Sequence, residues 1–275
     1  MIALEQVEVR RGTACIIQDL TLSLTPGLVH VVIGPNGTGK TTLIRALFGD
    51  LPISRGGIRI GDQALRPNSR LGRGQAWRSH FAYMPQDTHL DIALTALEVV
   101  VVGRLGRLGL HIDDETLELA TQRLDAAGVL HLADRDIGTL SGGQRQMVLF
   151  AQVMMREPRV MLLDEPVSAL DLRHQIRLLD LVRLETRKRD LATVVVLHDL
   201  NLACQYADRL IVMRPGASAI MGAPTDLISA ALIADTYGAS VEILRDGRGN
   251  PVIQPIGSLG GDPPPVPPAL FSPGA

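Results

Sequence analysis

Leu28-Val29-His30-Val31-Val32-Ile33-Gly34-Pro35-Asn36-Gly37-Thr38-Gly39-Lys40-Thr41 decides the fold. Residues 28–33 form a short, nearly continuous apolar run, which suits a strand buried on both faces. A glycine-rich turn follows at once. Residues 41–48 then carry Leu43, Ile44 and Leu47 at helical spacing, so the unit is strand, loop, helix. Gly34, Pro35, Asn36, Gly37, Thr38, Gly39, Lys40 and Thr41, with Thr42 behind them, match the phosphate-loop pattern in the context that pattern requires. Glycines let the backbone curl until successive N–H groups point inward, and the following helix adds its positive end. Lys40 is placed to reach β and γ phosphates, and Thr41 to ligate Mg²⁺. The expected ligand is a nucleoside triphosphate.

Working outward, residues 160–163 and 193–197 are two further buried-strand candidates, each leading into helical periodicity, and together they indicate a parallel sheet. Between 90 and 158 the pattern changes to longer amphipathic stretches, at 115–127 and 144–155, which is expected to be a helical insertion. Residues 2–9 and 16–24 alternate as antiparallel strands do, and 208–221 return to strand. From 257 to 275 the chain is rich in Pro and Gly and cannot support a packed core, so it is expected to be a disordered tail. The expectation is an α/β fold: a mixed sheet core with an antiparallel β subdomain and a helical subdomain.

Composition narrows the function classes. Apolar residues make up 46% and charged residues 20%, which supplies a core and argues against global disorder. A net charge of −2 offers no general attraction for nucleic acid or anionic lipid, so no nucleic-acid partner is expected. Lys40 and Lys188 are the only lysines, which sets the loop lysine apart. Cys15 and Cys204 are too few and too distant for a disulfide framework or metal cluster and are expected to be buried filler. No apolar stretch approaches the ~20 residues that span a bilayer, and the amino terminus lacks the pattern of a signal peptide.

The strand at 160–163 ends in Asp164-Glu165, at the sheet edge where α/β folds bind ligands. Successive strand residues face opposite ways, so Asp164 is placed to hold the Mg²⁺ shell and Glu165 to polarise an attacking water. Leu140-Ser141-Gly142-Gly143-Gln144 opens a predicted helix, where a serine hydroxyl and glycine N–H groups can bind a second anion or simply cap the helix. Taken with the phosphate loop, the Asp-Glu strand end and His198, this pentapeptide resembles the signature motif of the ATP-binding cassette (ABC) family across roughly residues 1–255.

That resemblance implies one nucleotide-binding domain at 1–256, with its helical subdomain at about 90–158. It further implies ATP and Mg²⁺ as ligands, and a homodimer in which Ser141, Gly142, Gly143 and Gln144 of one chain close on the ATP held by Lys40 of the other. Gln86, in Tyr83-Met84-Pro85-Gln86-Asp87, resembles the family's glutamine loop, linking metal and water to the helical region. His198 resembles the switch histidine at the γ-phosphate. Ser168-Ala169-Leu170-Asp171 resembles the loop that crosses the dimer interface, with Asp171 its key acid.

The sequence departs from the family pattern at two points. No aromatic residue stands near Arg11 to stack on adenine, where an arginine plane offers a substitute. Val167 replaces a polar residue often found after Glu165-Pro166. Tyr83-Met84-Pro85-Gln86-Asp87, Val102-Gly103-Arg104, Asp171-Leu172-Arg173-His174-Gln175 and Leu197-His198-Asp199-Leu200-Asn201-Leu202-Ala203 resemble the bacterial ferric-siderophore, haem and cobalamin importers. The implied partners are two transmembrane permease subunits and, indirectly, a substrate-binding protein. The chain would then sit peripherally at the cytoplasmic face of the cell membrane. Ferric siderophore is the expected cargo, with haem and cobalamin as alternatives. Non-transport ABC proteins acting on nucleic acid or ribosomes, and soluble phosphate-loop kinases, compete less well. The non-transport relatives usually carry a long coiled coil, a zinc module or a doubled cassette, none of which this sequence shows, and a kinase would not need the Ser141 and His198 elements. Asp199 and Asn201 are expected to cap or solvate a helix start.

Overall fold

A computed structural model describes residues 1–67, 74–86, 93–104, 112–168 and 170–258; Asp87, Ala169 and residues 259–275 lie outside these. Two sheets form the frame. β1 (Ile2–Arg11), β2 (Ala14–Leu24), β4 (Arg55–Ile60) and β5 (Gln63–Leu65) make an antiparallel sheet in the order β2-β1-β4-β5. β3 (Val29–Ile33), β6 (Phe81–Met84), β7 (Val160–Asp164), β8 (Ala192–Val196), β9 (Arg209–Arg214) and β10 (Ala217–Gly222) make the second sheet, in the order β10-β9-β3-β8-β7-β6. Every pairing in it is parallel except β10 on β9.

β3, β7 and β8 are buried along their whole lengths, which explains their unbroken apolar sequences. Their alternate residues feed two cores. Val31, Ile33, Met161, Leu163 and Val195 face a helical layer, whereas Val32, Leu162, Val194 and Val196 face α1 (Lys40–Phe48) and the antiparallel sheet. His30 lies among the second set, fully buried, with Nδ1 donating to the Thr193 carbonyl at 3.1 Å and Nε2 accepting from the Thr25 N–H at 3.2 Å. Both ring nitrogens are satisfied by the neutral imidazole, and burial lowers its pKa.

After α2 (Gln75–Arg78), the helical layer contains α3 (Ala96–Val102), α4 (Asp114–Ala126) and α5 (Gly142–Met154), which fall within the expected insertion. α6 (Leu172–Lys188) and α7 (Leu200–Tyr206) follow β7 and β8. The short α8 (Pro224–Leu227) leads to α9 (Ala230–Tyr237) and to a separate hairpin of β11 (Ala239–Arg245) and β12 (Pro251–Ser258). β12 carries the folded chain just past residue 256, the sequence-based boundary of the tail. Cys204 is buried as expected, but Cys15 is exposed, because it sits where β1 turns into β2.

The topology gathers the chemistry. The C-terminal ends of β3, β6, β7 and β8 lie along one edge of the parallel sheet and deliver the phosphate loop, Gln86, Asp164-Glu165 and His198 respectively.

Candidate functional site

Residues 34–39 join β3 to α1 as a loop whose glycines at 34, 37 and 39 all have positive φ. Gly34 is the most constrained: a Cβ there would stand 2.4 Å from the Met213 carbonyl oxygen on the neighbouring strand β9. No side chain caps α1 and its first turn holds no acid, so its leading N–H groups stay available to an anion. Lys40 is buried, and Nζ donates to the carbonyls of Gly34 at 2.8 Å and Pro35 at 3.0 Å. Burial lowers its pKa, while Glu165 and Asp164 nearby favour the charged form. The loop tip at Asn36 and Gly37 is exposed.

The two acids at the end of β7 diverge. Asp164 is buried at 1% exposure and accepts a 3.2 Å hydrogen bond at Oδ1 from the Thr41 hydroxyl on α1. Burial raises its pKa, and the Thr41 bond opposes the rise. Glu165 adopts φ +52°, a conformation uncommon for a side-chain-bearing residue. The reversal turns its carboxylate along the sheet edge, where Oε2 accepts from Gln86 Nε2 at 2.8 Å and Oε1 meets His198 Nε2 at 2.5 Å. Three residues from β6, β7 and β8 therefore form one polar cluster. Gln86 was expected to link metal and water; its amide nitrogen donates to Glu165.

Ser141 is the N-cap of α5, in a reciprocal capping box with Gln144: the serine oxygen accepts from the Gln144 N–H at 3.3 Å, and Gln144 Oε1 accepts from the Ser141 N–H at 3.1 Å. Capping uses the serine oxygen as acceptor and leaves its O–H to donate, so the cap does not block an anion at this position. Gly142 is exposed and Gly143 half-buried, so this helix start faces outward. Asp171 caps α6 and accepts at one oxygen from the His174 backbone at 2.9 Å and from its Nδ1 at 2.8 Å, which holds its pKa down.

Two contacts escaped the sequence reading. Gln146 on α5 donates to the Pro166 carbonyl at 2.9 Å, and the His174 ring packs over Gly143, where a Cβ would approach within 3.0 Å. Both tie the signature helix to the segment after Glu165. For His174 the only sequence signal was the Asp171-Leu172-Arg173-His174-Gln175 string, which carried no contact to Gly143, and for Gln146 there was none. Arg11 is exposed at the β1–β2 turn, opposite Ala14.

The donors present suit Mg²⁺: a hydroxyl and a carboxylate side by side are hard oxygen ligands, of which this ion uses one or two beside substrate phosphates. Among the described residues no group of three His, Cys, Asp or Glu is placed to hold a metal ion by itself. No helix among the described residues is long and apolar enough to cross a membrane.

A phosphate loop, a strand-end acid pair, a capped signature helix and a strand-end histidine on one parallel sheet edge define a P-loop nucleoside triphosphatase of the cassette type. The chain belongs to the ABC transporter family, whose profile matches residues 17–168, and it is an ATPase that couples ATP hydrolysis to transport. It is 37% identical over 280 residues to the hemin import ATP-binding protein HmuV of Burkholderia pseudomallei (strain 1710b), covering 93% of this chain and 100% of the relative. It is 35% identical to the ferric enterobactin transport ATP-binding protein FepC of Escherichia coli (strain K12), covering 92% and 93%. A metal-chelate type ABC transporter in an inward-facing conformation shares the fold at TM-score 0.79 and 23% identity, covering 92% of this chain and 96% of that one. A bacterial ABC transporter cassette solved as a dimer matches at TM-score 0.71 and 25% identity, covering 81% and 98%.

Proposed function

We propose that this chain is the motor subunit of an importer for iron-carrying chelates, acting as a homodimer with two ATP molecules between its copies. The observation that supports the dimer is the outward-facing, serine-capped helix start at Ser141, chemically suited to a second anion, in a chain that already holds a complete phosphate loop. In this arrangement Lys40 exchanges its loop carbonyls for the β and γ phosphates of ATP. Thr41 and Asp164 would hold Mg²⁺, which would supply neutralisation of the phosphate charge. Glu165 releases one of its two partners and accepts a proton from the attacking water, while His198 and Gln86 orient that water and the γ-phosphate. Ser141, Gly142 and Gly143 of the opposite copy donate to the same γ-phosphate, with Gln144 bracing Ser141, and Asp171 lies at the crossing between copies. Cleavage removes these shared contacts and lets the copies separate.

The permease pair and the substrate-binding protein are separate chains in this reading, and the motor lies against the cytoplasmic face of the inner membrane. The relatives named for hemin and ferric enterobactin support an iron chelate as cargo. The cargo contacts other subunits, so uptake must identify it. A deletion strain would be assayed with labelled hemin, ferric siderophore and cobalamin, and loss confined to cobalamin would overturn the iron reading. The shared site is tested by mixing Ser141→Arg chains with wild type. If both ATP sites must close before either is cleaved, activity should fall as the square of the wild-type fraction, whereas activity strictly proportional to that fraction would overturn concerted closure of shared sites.

A further inference from the structure

Asp199 alone caps α7, its Oδ1 accepting from the N–H groups of Asn201 at 2.8 Å and Leu202 at 2.9 Å. The Asn201 side chain, expected to cap or solvate the helix start, does not cap but turns to β12. There Oδ1 accepts from the Ile253 N–H at 2.8 Å and Nδ2 donates to the Ile253 carbonyl at 3.4 Å. One amide side chain thus satisfies both main-chain groups of Ile253, as a neighbouring strand would. Val241 and Ile253 of the hairpin are buried in the same core as Leu202, Ala203 and Cys204 of α7.

The far end of α7 is anchored elsewhere, by the Tyr206 hydroxyl donating to Asp180 at 3.0 Å and by Arg183 donating to the Gln205 carbonyl at 2.6 Å. The two ends of α7 therefore answer to different elements, α6 at one and the hairpin at the other. His198 is at the hairpin end. Only Leu197, His198 and Asp199 separate the buried strand β8 from α7, and Leu197 is pinned to the Val32 carbonyl at 3.2 Å. A tilt of α7 about its α6 anchor must therefore move the His198 imidazole against Glu165.

We infer that Asn201 is a positioning residue for ATP hydrolysis and that the β11–β12 hairpin, acting through it, sets the placement of His198. This rests on the role given to His198 above. The segment also borders the phosphate loop: Tyr237, at the end of α9, lies near Gly34, and burial raises its hydroxyl pKa.

The test is a double-mutant cycle on the full chain with its permease, using Asn201→Ala, His198→Ala and the pair. Asn201→Ala should lower kcat about 3- to 30-fold and leave KM for ATP within about twofold. In the His198→Ala background the same substitution should change kcat by less than about twofold, because the group it positions is gone. Equal losses in both backgrounds, or an unchanged kcat in the single variant, would overturn the inference. An unchanged kcat for His198→Ala alone would instead overturn the role of the histidine. Asn201→Asp keeps the acceptor of the 2.8 Å bond and serves the same cycle if the alanine variant does not fold.

Discussion

Gly34→Ala and Gly37→Ala, two substitutions in one loop, separate a steric requirement from a conformational one. Gly34 has φ +149°, and a Cβ there would meet the Met213 carbonyl at 2.4 Å, the Thr38 hydroxyl at 2.9 Å and the Met213 Cβ at 3.1 Å. Reaching ordinary contact, at 3.4 Å or more, means a retreat of about 1 Å. Met213 cannot yield easily, because β9 is paired to β3 and β10 on its two sides. The loop must move instead, carrying with it the Gly34 carbonyl that Lys40 grips. Backbone strain of ~1–3 kcal/mol follows, or a Tm lower by roughly 3–10 °C for a chain of this size. A ~1 Å misplacement of a reacting group costs on the order of 100-fold in rate. Gly37 also has positive φ, at +82°, but its Cβ would meet nothing within 4 Å. Its alanine variant should lose only ~1 kcal/mol from the left-handed conformation. Calorimetry and steady-state hydrolysis of Mg-ATP would be run on both. If Gly34→Ala matched Gly37→Ala in Tm and in turnover, the steric argument would be refuted.

Glu165→Gln should retain Mg-ATP binding, since Thr41 and Asp164 are untouched, and lower kcat by ~10²–10⁴; turnover within tenfold of wild type in a phosphate-release assay would place the base elsewhere. His30 is neutral in the fold with its pKa lowered from 6.5, so the unfolded chain takes up a proton first as pH falls. Its contribution to stability is present above about pH 6.5 and is lost progressively below, so wild type should lose stability between pH 7 and 5 more steeply than His30→Gln in denaturant titrations. Trp77 is fully buried and its Nε1 donates to the Leu47 carbonyl at 3.0 Å. Trp77→Ala should cost ~3–5 kcal/mol, read as a fall in the urea midpoint with unchanged slope.

The loop and the strands that frame it were legible because burial on both faces writes a continuous apolar run, as in β3, β7 and β8, and because β1 and β2 alternate. β4 was not, since Gly56 and Gly57 interrupt any pattern in its first half. The C-terminal hairpin was hidden for a related reason. Pro251, Pro255 and Gly257 resemble tail composition, yet they sit on a strand that has only one strand partner. Each site residue could be named from its motif, but their meeting could not. Gln86 and Glu165 are 79 residues apart, and only the order β8-β7-β6, which no local pattern encodes, puts them in contact with His198. Asn201 could be read only as a residue that caps or solvates a helix start, because its partner, Ile253, lies 52 residues away on an element the sequence did not reveal.

The grip of Lys40 on its own loop has a thermodynamic corollary. Its ammonium already holds two carbonyls at full hydrogen-bond strength, so engaging a triphosphate swaps acceptors and does not create bonds anew. The net enthalpy of capture is then smaller than an inventory of the filled cradle suggests. Product departure is correspondingly cheap, since the lysine returns to waiting partners and is never stranded in a poorly hydrated interior. For a motor that must let go once per cycle, modest affinity is the useful property.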